Sequence, residues 1–217
     1  MNPGIPLDNL SAETPEYTVN WFASARPVWD TLLPHLDARL VLEIGSYEGT
    51  SACYMIDVLG RKAPLEIHCI DHWNGGAEHR VADVDMNQVE QRFRRNTAIS
   101  VSNSPFPVQL HIHKGNSESC LGALLSHQPK PQFDFIYVDG SHQAADVLLD
   151  ASMAFRLLRV GGIMVLDDYL WHETPAGIRD PLAVPKMAID AIINCHFNRL
   201  RIISAPLYQI FLQKLAD

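Results

Sequence analysis

The sequence predicts an α/β fold built on a mostly parallel sheet with helices on both faces. Two observations support this prediction. Short apolar runs alternate with segments of helical periodicity along most of the 217 residues, which is typical of repeated strand–helix units. The last two apolar runs, 199–205 and 207–213, are separated only by Pro206, and so short a connection permits antiparallel pairing only. We therefore expect a doubly wound, seven-stranded sheet that ends in an antiparallel C-terminal hairpin.

The individual elements follow from the same patterns. Residues 1–38 contain several aromatic residues among prolines, and we expect them to form a helical cap over the sheet edge, ahead of a main domain at 39–217. Strands are predicted at 40–44, 66–70, 107–113, 133–138 and 161–166. Helices are predicted at 49–60, 84–98, 117–126, 143–158 and 184–196. The stretches 72–83 and 100–107 are rich in turn-forming residues and are expected to be loops.

Composition excludes several classes of partner. A formal net charge of −8 argues against a nucleic-acid partner, because phosphate binding needs clustered lysine and arginine. No basic region precedes an apolar stretch near the N-terminus, and no segment approaches the ~20 apolar residues of a membrane span. The cysteines are far apart and form no CxxC pair, which favours free thiols in a reducing compartment: Cys53, Cys69, Cys120 and Cys195. We therefore expect a cytoplasmic protein without a membrane partner.

Acidic residues directly follow two of the predicted strands. Asp139 ends the fourth strand, and Asp167 and Asp168 end the fifth, so neighbouring parallel strands would bring three carboxylates to one sheet edge. Such a set of hard oxygen donors suggests a divalent cation such as Mg²⁺. His142 would lie beside it as a candidate general base. Alternatively, Asp139 serves only a cofactor, the acid pair caps a turn, and His142 merely follows an N-cap at Ser141.

A glycine-bearing turn follows the first predicted strand. Gly45 and Gly49 form a G-x-x-x-G pattern, which differs from the G-x-G-x-x-G of dinucleotide-binding proteins. Glu43 and Glu48 would repel a pyrophosphate, so the turn suits a ligand with a positive charge, such as a sulfonium or an amino group. Asp71 ends the second strand, where an acid can bind both hydroxyls of a ribose. Alternatively, Glu43 interacts with the helix dipole and Asp71 caps a loop.

Together these motifs resemble a known enzyme family. The segments VLEIGSYEGTS, GNSES, VDGSH and LLRVGGIMVLDDYLW are similar to class I S-adenosylmethionine-dependent methyltransferases, which have a Rossmann-like fold. More narrowly, they resemble the divalent-metal-dependent O-methyltransferases, which include catechol-type and macrolide-sugar-type enzymes. The similarity covers residues 39–172 and the C-terminal strands.

The resemblance implies a role for individual residues. The methionine half of the cofactor would be surrounded by Glu43, Gly45, Ser46, Tyr47 and Ser51. The ribose and adenine would be bound by Asp71, by His72 or Trp73, and by Asn116 and Ser117. The metal would be held by Asp139, Asp167 and Asp168. Catechol enzymes carry a lysine three residues after the first metal-binding acid, whereas this chain has His142, as the sugar-modifying relatives do.

The resulting hypothesis is an S-adenosylmethionine-dependent and Mg²⁺-dependent O-methyltransferase. Its acceptor would be a small hydroxylated molecule, such as a sugar or a natural product. The alternatives are a metal-independent methyltransferase, a nicotinamide-dependent oxidoreductase and a nonenzymatic cofactor-binding protein. We also expect a homodimer, because twofold dimers are the commonest oligomers.

Two further histidines, His111 and His113, alternate on the third predicted strand. They therefore face the same side and could ligate a metal. Their position before the adenine-binding turn favours the simpler interpretation that they are ordinary surface residues.

Overall fold

The computed structural model describes residues 13–76, 83–130, 132–172 and 180–217. Its strands are β1 (Leu40–Ile44), β2 (Leu65–Asp71), β3 (Val108–Lys114), β4 (Phe133–Val138), β5 (Leu158–Leu166), β6 (Leu200–Ile203) and β7 (Ile210–Lys214). They form one seven-stranded sheet in the order β3-β2-β1-β4-β5-β7-β6. The first five strands pair in parallel, and β7 runs antiparallel between β5 and β6. The predicted fold class is therefore confirmed, including the C-terminal hairpin.

Helices connect the strands and cover both faces of the sheet. They are α1 (Arg26–Leu32), α2 (Thr50–Leu59), α3 (Met86–Asn103), α4 (Ser117–Ser126), α5 (Ala144–Leu157) and α6 (Lys186–Cys195). Short 3₁₀ turns occur at Trp21–Ser24, Leu33–His35 and Pro181–Ala183. Among the described residues, no helix has both the length and the apolar character needed to cross a bilayer.

Helix α3 is longer than the sequence pattern predicted. It continues through the serine-bearing residues that were expected to be a loop and ends at Asn103. Ser104 then adopts an extended conformation, as expected for a residue before a proline, here Pro105. Ser100 is buried, so packing of the last turns outweighs the weak helix propensity of serine.

The sheet separates two hydrophobic cores. Alternate residues of the central strands enter opposite cores, which explains why these strands are apolar almost throughout. Helices α4, α5 and α6 contribute to the core that contains Leu42 and Ile136. Helices α1, α2 and α3 contribute to the core that contains Val41 and Phe135.

The segment before β1 covers the middle of a sheet face, whereas the sequence suggested a position over the edge. Trp29 is fully buried, and its ring meets those of Phe135 and Tyr137 edge-on, at centroid distances of 5.3 and 4.8 Å. Its indole N–H donates to Gln209 Oε1 at 2.8 Å. The large aromatic residues of β4 thus provide the apolar surface on which this segment packs. Residues 1–12 of the predicted cap, and 77–82 of the predicted 72–83 loop, lie outside the described residues.

Candidate active site

The carboxyl ends of the parallel strands open into a cleft of about 1050 Å³. Open α/β sheets bind ligands at this edge. Most of the residues predicted from the sequence line the cleft: Gly45, Ser46, Tyr47, Ser51, Asp71, His72, Asn116, Ser117, Asp139, His142, Asp167 and Asp168. Glu43 and Trp73 lie behind its wall, because both are buried.

Gly45 allows the turn after β1 to pass directly against the end of β4. Its φ is +85°, and a Cβ atom there would lie 1.9 Å from the carbonyl oxygen of Asp139. The amide of Gly45 donates to Ile70 O at 2.9 Å, and the amide of Asp139 donates to Ile44 O at 2.8 Å. The ends of β1, β2 and β4 are therefore held together at a point where only glycine fits.

Glu43 acts on the cleft through Ser51. The Ser51 hydroxyl donates to Oε1 of Glu43, while Oε2 is buried without a hydrogen-bond partner. Burial raises the pKa of Glu43 to about 7. A buried carboxylate with an unused acceptor oxygen favours a cationic ligand nearby, because positive charge would stabilise its ionised form.

Asp71 shapes the turn that follows β1. Its Oδ2 accepts hydrogen bonds from the amides of Ser46 and Tyr47 at 3.0 and 2.9 Å, and its Oδ1 accepts from the amide of Trp73 at 2.7 Å. The loop-capping role is therefore present in the structure. A carboxylate offers about four acceptor directions, so roughly one remains for a ribose hydroxyl. A second hydroxyl would have to displace one of the amides.

Of the two residues predicted beside the adenine, the structure brings only His72 to the cleft. Trp73 packs against Phe93 at a centroid distance of 4.9 Å, and its indole N–H donates to Tyr47 O at 2.9 Å. Its φ of +49° turns the side chain into the core, where it supports the turn after β1. Asn116 precedes α4 and lines the cleft wall that follows β3.

The acids after β4 and β5 form a cluster around a tyrosine. The Tyr137 hydroxyl lies 2.9 Å from Asp139 Oδ2 and also contacts Asp167; its single proton can serve only one of these acceptors. Gln209 Nε2 donates to Asp167 Oδ2 at 2.7 Å. Burial and the neighbouring carboxylates raise the pKa of Asp139 well above its usual range and the pKa of Asp167 to about 6. The cluster therefore contains more carboxyl groups than its own hydrogen-bond donors can keep ionised.

The three aspartates do not converge as closely as a metal site requires. Over the described ranges, one group of three or more His, Cys, Asp or Glu has all its ligand atoms within 4.8 Å of one another, and it lies elsewhere on the sheet. Asp139, Asp167 and Asp168 are the residues that would hold a cation at this edge of the sheet. Their hard oxygen donors match Mg²⁺.

His142 is oriented by Asp168 and Trp171. It lies in the loop between β4 and α5, with Nε2 2.9 Å from Asp168 Oδ2. Its ring stacks on the Trp171 indole at a centroid distance of 3.9 Å. Asp168 has a φ of +58°, an uncommon conformation for a residue other than glycine. A carboxylate that fixes an imidazole in this way is a common arrangement at sites of proton transfer.

Several residues of the site were not predicted from the sequence. Tyr137 precedes Asp139 by two positions and so lies on the same side of β4, a signal that was present in the sequence. Gln209 and Tyr208 arrive from the C-terminal hairpin, and no motif indicated them. Burial and Asp168 raise the pKa of Tyr208, which lines the cleft together with Trp21.

Comparison with known proteins identifies the family. A family model described as "Methyltransferase domain" matches residues 42–169, more than half of the chain. The chain belongs to this methyltransferase family. Membership confirms the resemblance to class I S-adenosylmethionine-dependent methyltransferases and the assignment as an enzyme, and it sets aside the oxidoreductase and nonenzymatic alternatives. No match was found among curated proteins.

Solved structures of other methyltransferases share the fold. An O-methyltransferase from Bacillus cereus, in complex with S-adenosylhomocysteine, has a TM-score of 0.61 at 16% identity, covering 95% of this chain and 84% of that one. MycE from the mycinamycin biosynthetic pathway, in complex with Mg and S-adenosylhomocysteine, has a TM-score of 0.55 at 19% identity. The match covers 93% of this chain and 51% of that one. CalS11, a TDP-rhamnose 3′-O-methyltransferase of calicheamicin biosynthesis, has a TM-score of 0.56 at 12% identity. The match covers 88% of this chain and 79% of that one.

Proposed function

We propose that this methyltransferase transfers the methyl group of S-adenosylmethionine to a hydroxyl group of a small molecule, with the help of Mg²⁺. A sugar or a natural product would supply the hydroxyl. The observation that carries the proposal is the cleft itself, which is lined by the turn after β1, by a His142–Asp168 pair and by two further aspartates.

The cofactor half of the cleft fits S-adenosylmethionine on three counts. Gly45 lets the turn after β1 pack directly against the end of β4, and the turn then forms part of the cleft wall. Glu43 keeps an unpartnered buried oxygen behind Ser51, which suits a positively charged ligand. Asp71 retains an acceptor direction for a ribose hydroxyl, and Asn116 and Ser117 would bind the adenine edge.

The other half of the cleft carries the oxygen donors that a divalent cation prefers. Asp139, Asp167 and Asp168 offer only oxygen donors, the preference of Mg²⁺. The raised pKa values of Asp139 and Asp167 indicate that these carboxylates lack a compensating positive charge. The Mg in the structure of MycE adds support from a related fold.

In the proposed reaction the acceptor oxygen forms a bond to the methyl carbon while the carbon–sulfur bond breaks, and the electron pair stays on sulfur. S-adenosylmethionine would supply the electrophilic methyl group, and Mg²⁺ held by Asp139, Asp167 and Asp168 would lower the pKa of the attacking hydroxyl. His142 accepts the hydroxyl proton on its imidazole. Asp168 orients that ring and stabilises the imidazolium that results, and Trp171 fixes its plane by stacking.

The acceptor side of the cleft favours a molecule with both hydroxyl groups and apolar ring faces. Trp21, Phe22, Trp171 and Tyr208 line the cleft, and aromatic faces pack well on the apolar face of a sugar ring. The sugar nucleotide on which CalS11 acts is one chemical precedent within this fold.

The test is methyl transfer from labelled S-adenosylmethionine to a panel of sugar nucleotides, glycosides, catechols and amines, with Mg²⁺ and with a chelator. We expect labelled ether products from hydroxylated acceptors only when Mg²⁺ is present. Labelled amines in place of ethers would overturn the assignment to oxygen.

A metal-independent methyltransferase is the second candidate. The contact of Tyr137 with both Asp139 and Asp167 favours it, because the tyrosine occupies the space between two of the proposed ligands. Full turnover in the presence of chelator would support this alternative and leave the aspartates with a structural role.

A further inference from the structure

A second group of metal-ligand side chains lies on β2 and β3, outside the cleft. His68 and His111 are direct neighbours in the parallel pairing of these strands, and Glu66 precedes His68 by two residues on the same face. The Nε2 atom of His68 lies 3.0 Å from Glu66 Oε1, and the Nε2 atom of His111 lies 3.2 Å from the same oxygen. Three potential ligand atoms therefore lie close enough together to bind one metal ion.

Contacts with neighbouring histidines hold these side chains in positions suited to binding a metal ion. His68 Nδ1 lies 2.9 Å from His113 Nε2, so the second ring nitrogen of His68 is engaged, as it is for most metal-binding histidines. The ring of His68 stacks on those of His111 and His113, at centroid distances of 4.4 and 5.0 Å. His111 Nε2 is shielded from solvent, and its contact with Glu66 Oε1 does not have the geometry of a hydrogen bond.

The donor set also suits a transition metal, because it combines imidazole nitrogens with a carboxylate oxygen. Glu66 supplies the negative charge.

We propose that Glu66, His68 and His111 form a transition-metal site, with Zn²⁺ as the best-matched ion. Ligand atoms of a tetrahedral zinc site with bonds of ~2.0–2.1 Å lie roughly 3.3 Å apart, close to the two separations on Glu66 Oε1. The fourth position would be taken by water. Imidazole ligands select Zn²⁺, Co²⁺ or Ni²⁺ over Mg²⁺, so this site and the aspartates of the cleft would take different metals.

The sequence had raised His111 and His113 as a ligand pair on one strand and favoured a plain surface role. The structure pairs His111 with His68 across two strands and leaves His113 to orient His68. A bound ion would cross-link β3 to β2. Because β3 is an edge strand held by β2 alone, the proposed role is structural, and it does not depend on the proposed reaction.

The test is titration of the metal-stripped full-length protein with Co²⁺ and Zn²⁺ in a large excess of Mg²⁺, which saturates the oxygen-donor site. We expect one equivalent of Co²⁺ with the intense visible absorption of tetrahedral coordination, displaced by one equivalent of Zn²⁺. His111→Ala and Glu66→Gln should each weaken binding by about tenfold to a hundredfold or more. His35→Ala, which alters an exposed histidine outside the cluster, should bind as the wild type does.

Thermal unfolding provides a second measurement on the same proteins. Zn²⁺ should raise the melting temperature of the wild type and of His35→Ala, because an ion that binds only the folded state stabilises it. It should not raise that of His111→Ala. Binding of S-adenosylhomocysteine by each variant reports that the variant is folded. Absence of Co²⁺ binding in excess Mg²⁺, or equal binding by wild type, His111→Ala and Glu66→Gln, would overturn the proposal.

Discussion

Backbone conformation at single residues directs the side chains of the cleft. Gly45, Tyr47 and Asp168 all have positive φ. The glycine was recognisable in the sequence, because a tight turn between strand and helix needs one. The tyrosine and the aspartate gave no such signal, since their conformation is imposed by the tertiary contacts around them. Sequence motifs therefore located the candidate residues, but the way the turns present them could not be predicted.

The conformation of Gly45 leads to a prediction with a control of opposite sign. Gly45→Ala should destabilise the protein by more than about 3 kcal/mol, because the new Cβ atom would overlap the Asp139 carbonyl and φ is positive. Gly122→Ala, inside α4 with its nearest non-neighbouring atom at 3.9 Å, should instead stabilise by about 0.5–1 kcal/mol. Urea unfolding of both variants measures the difference. Equal effects would contradict the packing at Gly45.

Burial of Glu43 makes a pH-dependent contribution to stability. Its pKa of about 7 in the folded state exceeds the ordinary value of 4.5, so the folded state binds the proton more tightly. The contribution of Glu43 is therefore most favourable below pH 4.5 and falls as the pH rises to about 7, by about 3 kcal/mol in total. In the cofactor-free protein, Glu43→Gln should gain stability relative to the wild type across this interval. A constant difference between the unfolding free energies of the two proteins from pH 4.5 to 7 would show that the pKa of Glu43 is not raised in the folded state.

His142 is the residue on which the proposed proton transfer depends. His142→Ala should lower turnover by about 10²–10⁴-fold, the usual contribution of a general base. The dissociation constant for S-adenosylhomocysteine should change little, and the pH–rate profile should lose its acidic limb. The control is again His35→Ala. Near-normal turnover with an unchanged profile would assign His142 a structural role.

At the scale of elements, the N-terminal segment and the C-terminal hairpin meet beneath the acidic cluster. Trp29 of α1 donates to Gln209, and Gln209 donates to Asp167. Periodicity located the strands and helices that follow α1, and the hairpin, because these depend on local patterns. It could not indicate that the first helical segment lies on the sheet face, since this depends on the aromatic residues of β4, about a hundred residues away.

This connection predicts an effect of Trp29 on the metal site. Trp29→Phe removes the indole donor and leaves Gln209 Oε1 buried without a partner, which should cost about 1–3 kcal/mol in the free energy of unfolding. The affinity for Mg²⁺ should also fall by about tenfold to a hundredfold, because Gln209 would no longer hold Asp167 in place. Trp21→Phe, at a side chain that is 61% exposed, should leave stability within about 0.5 kcal/mol. Unchanged Mg²⁺ affinity in Trp29→Phe would show that Trp29 has no influence on the proposed metal site.

At the scale of the whole molecule, the cleft has two halves on different strands. Residues after β1, β2 and β3 form the proposed cofactor half, and residues after β4 and β5 form the proposed metal half. The alternation of strands and helices was enough to predict this arrangement, because parallel strands bring their carboxyl ends to one edge. The shape of the acceptor pocket could not be predicted, since segments from both ends of the chain combine to form it.

The two halves should respond separately to metal removal. Exhaustive chelation should abolish methyl transfer and leave the binding of S-adenosylhomocysteine nearly unchanged. Mg²⁺ alone should then restore turnover, because the proposed site on β2 and β3 has no part in the reaction. Calorimetry and a turnover assay on one preparation make the comparison. Loss of S-adenosylhomocysteine binding on chelation would show that the halves are coupled.

The hydrogen bond between Trp29 and Gln209 spans 180 residues of chain, and this has a consequence during synthesis. At roughly 5–20 residues per second, a ribosome needs roughly 10–40 s to extend the chain from one partner to the other. Once residues 133–138 have emerged, the indole can meet the aromatic residues of β4, but Gln209 and the last two strands emerge later. The acidic cluster therefore reaches its final form only after residue 209 has emerged, and a chain released earlier would lack the side chain that holds Asp167.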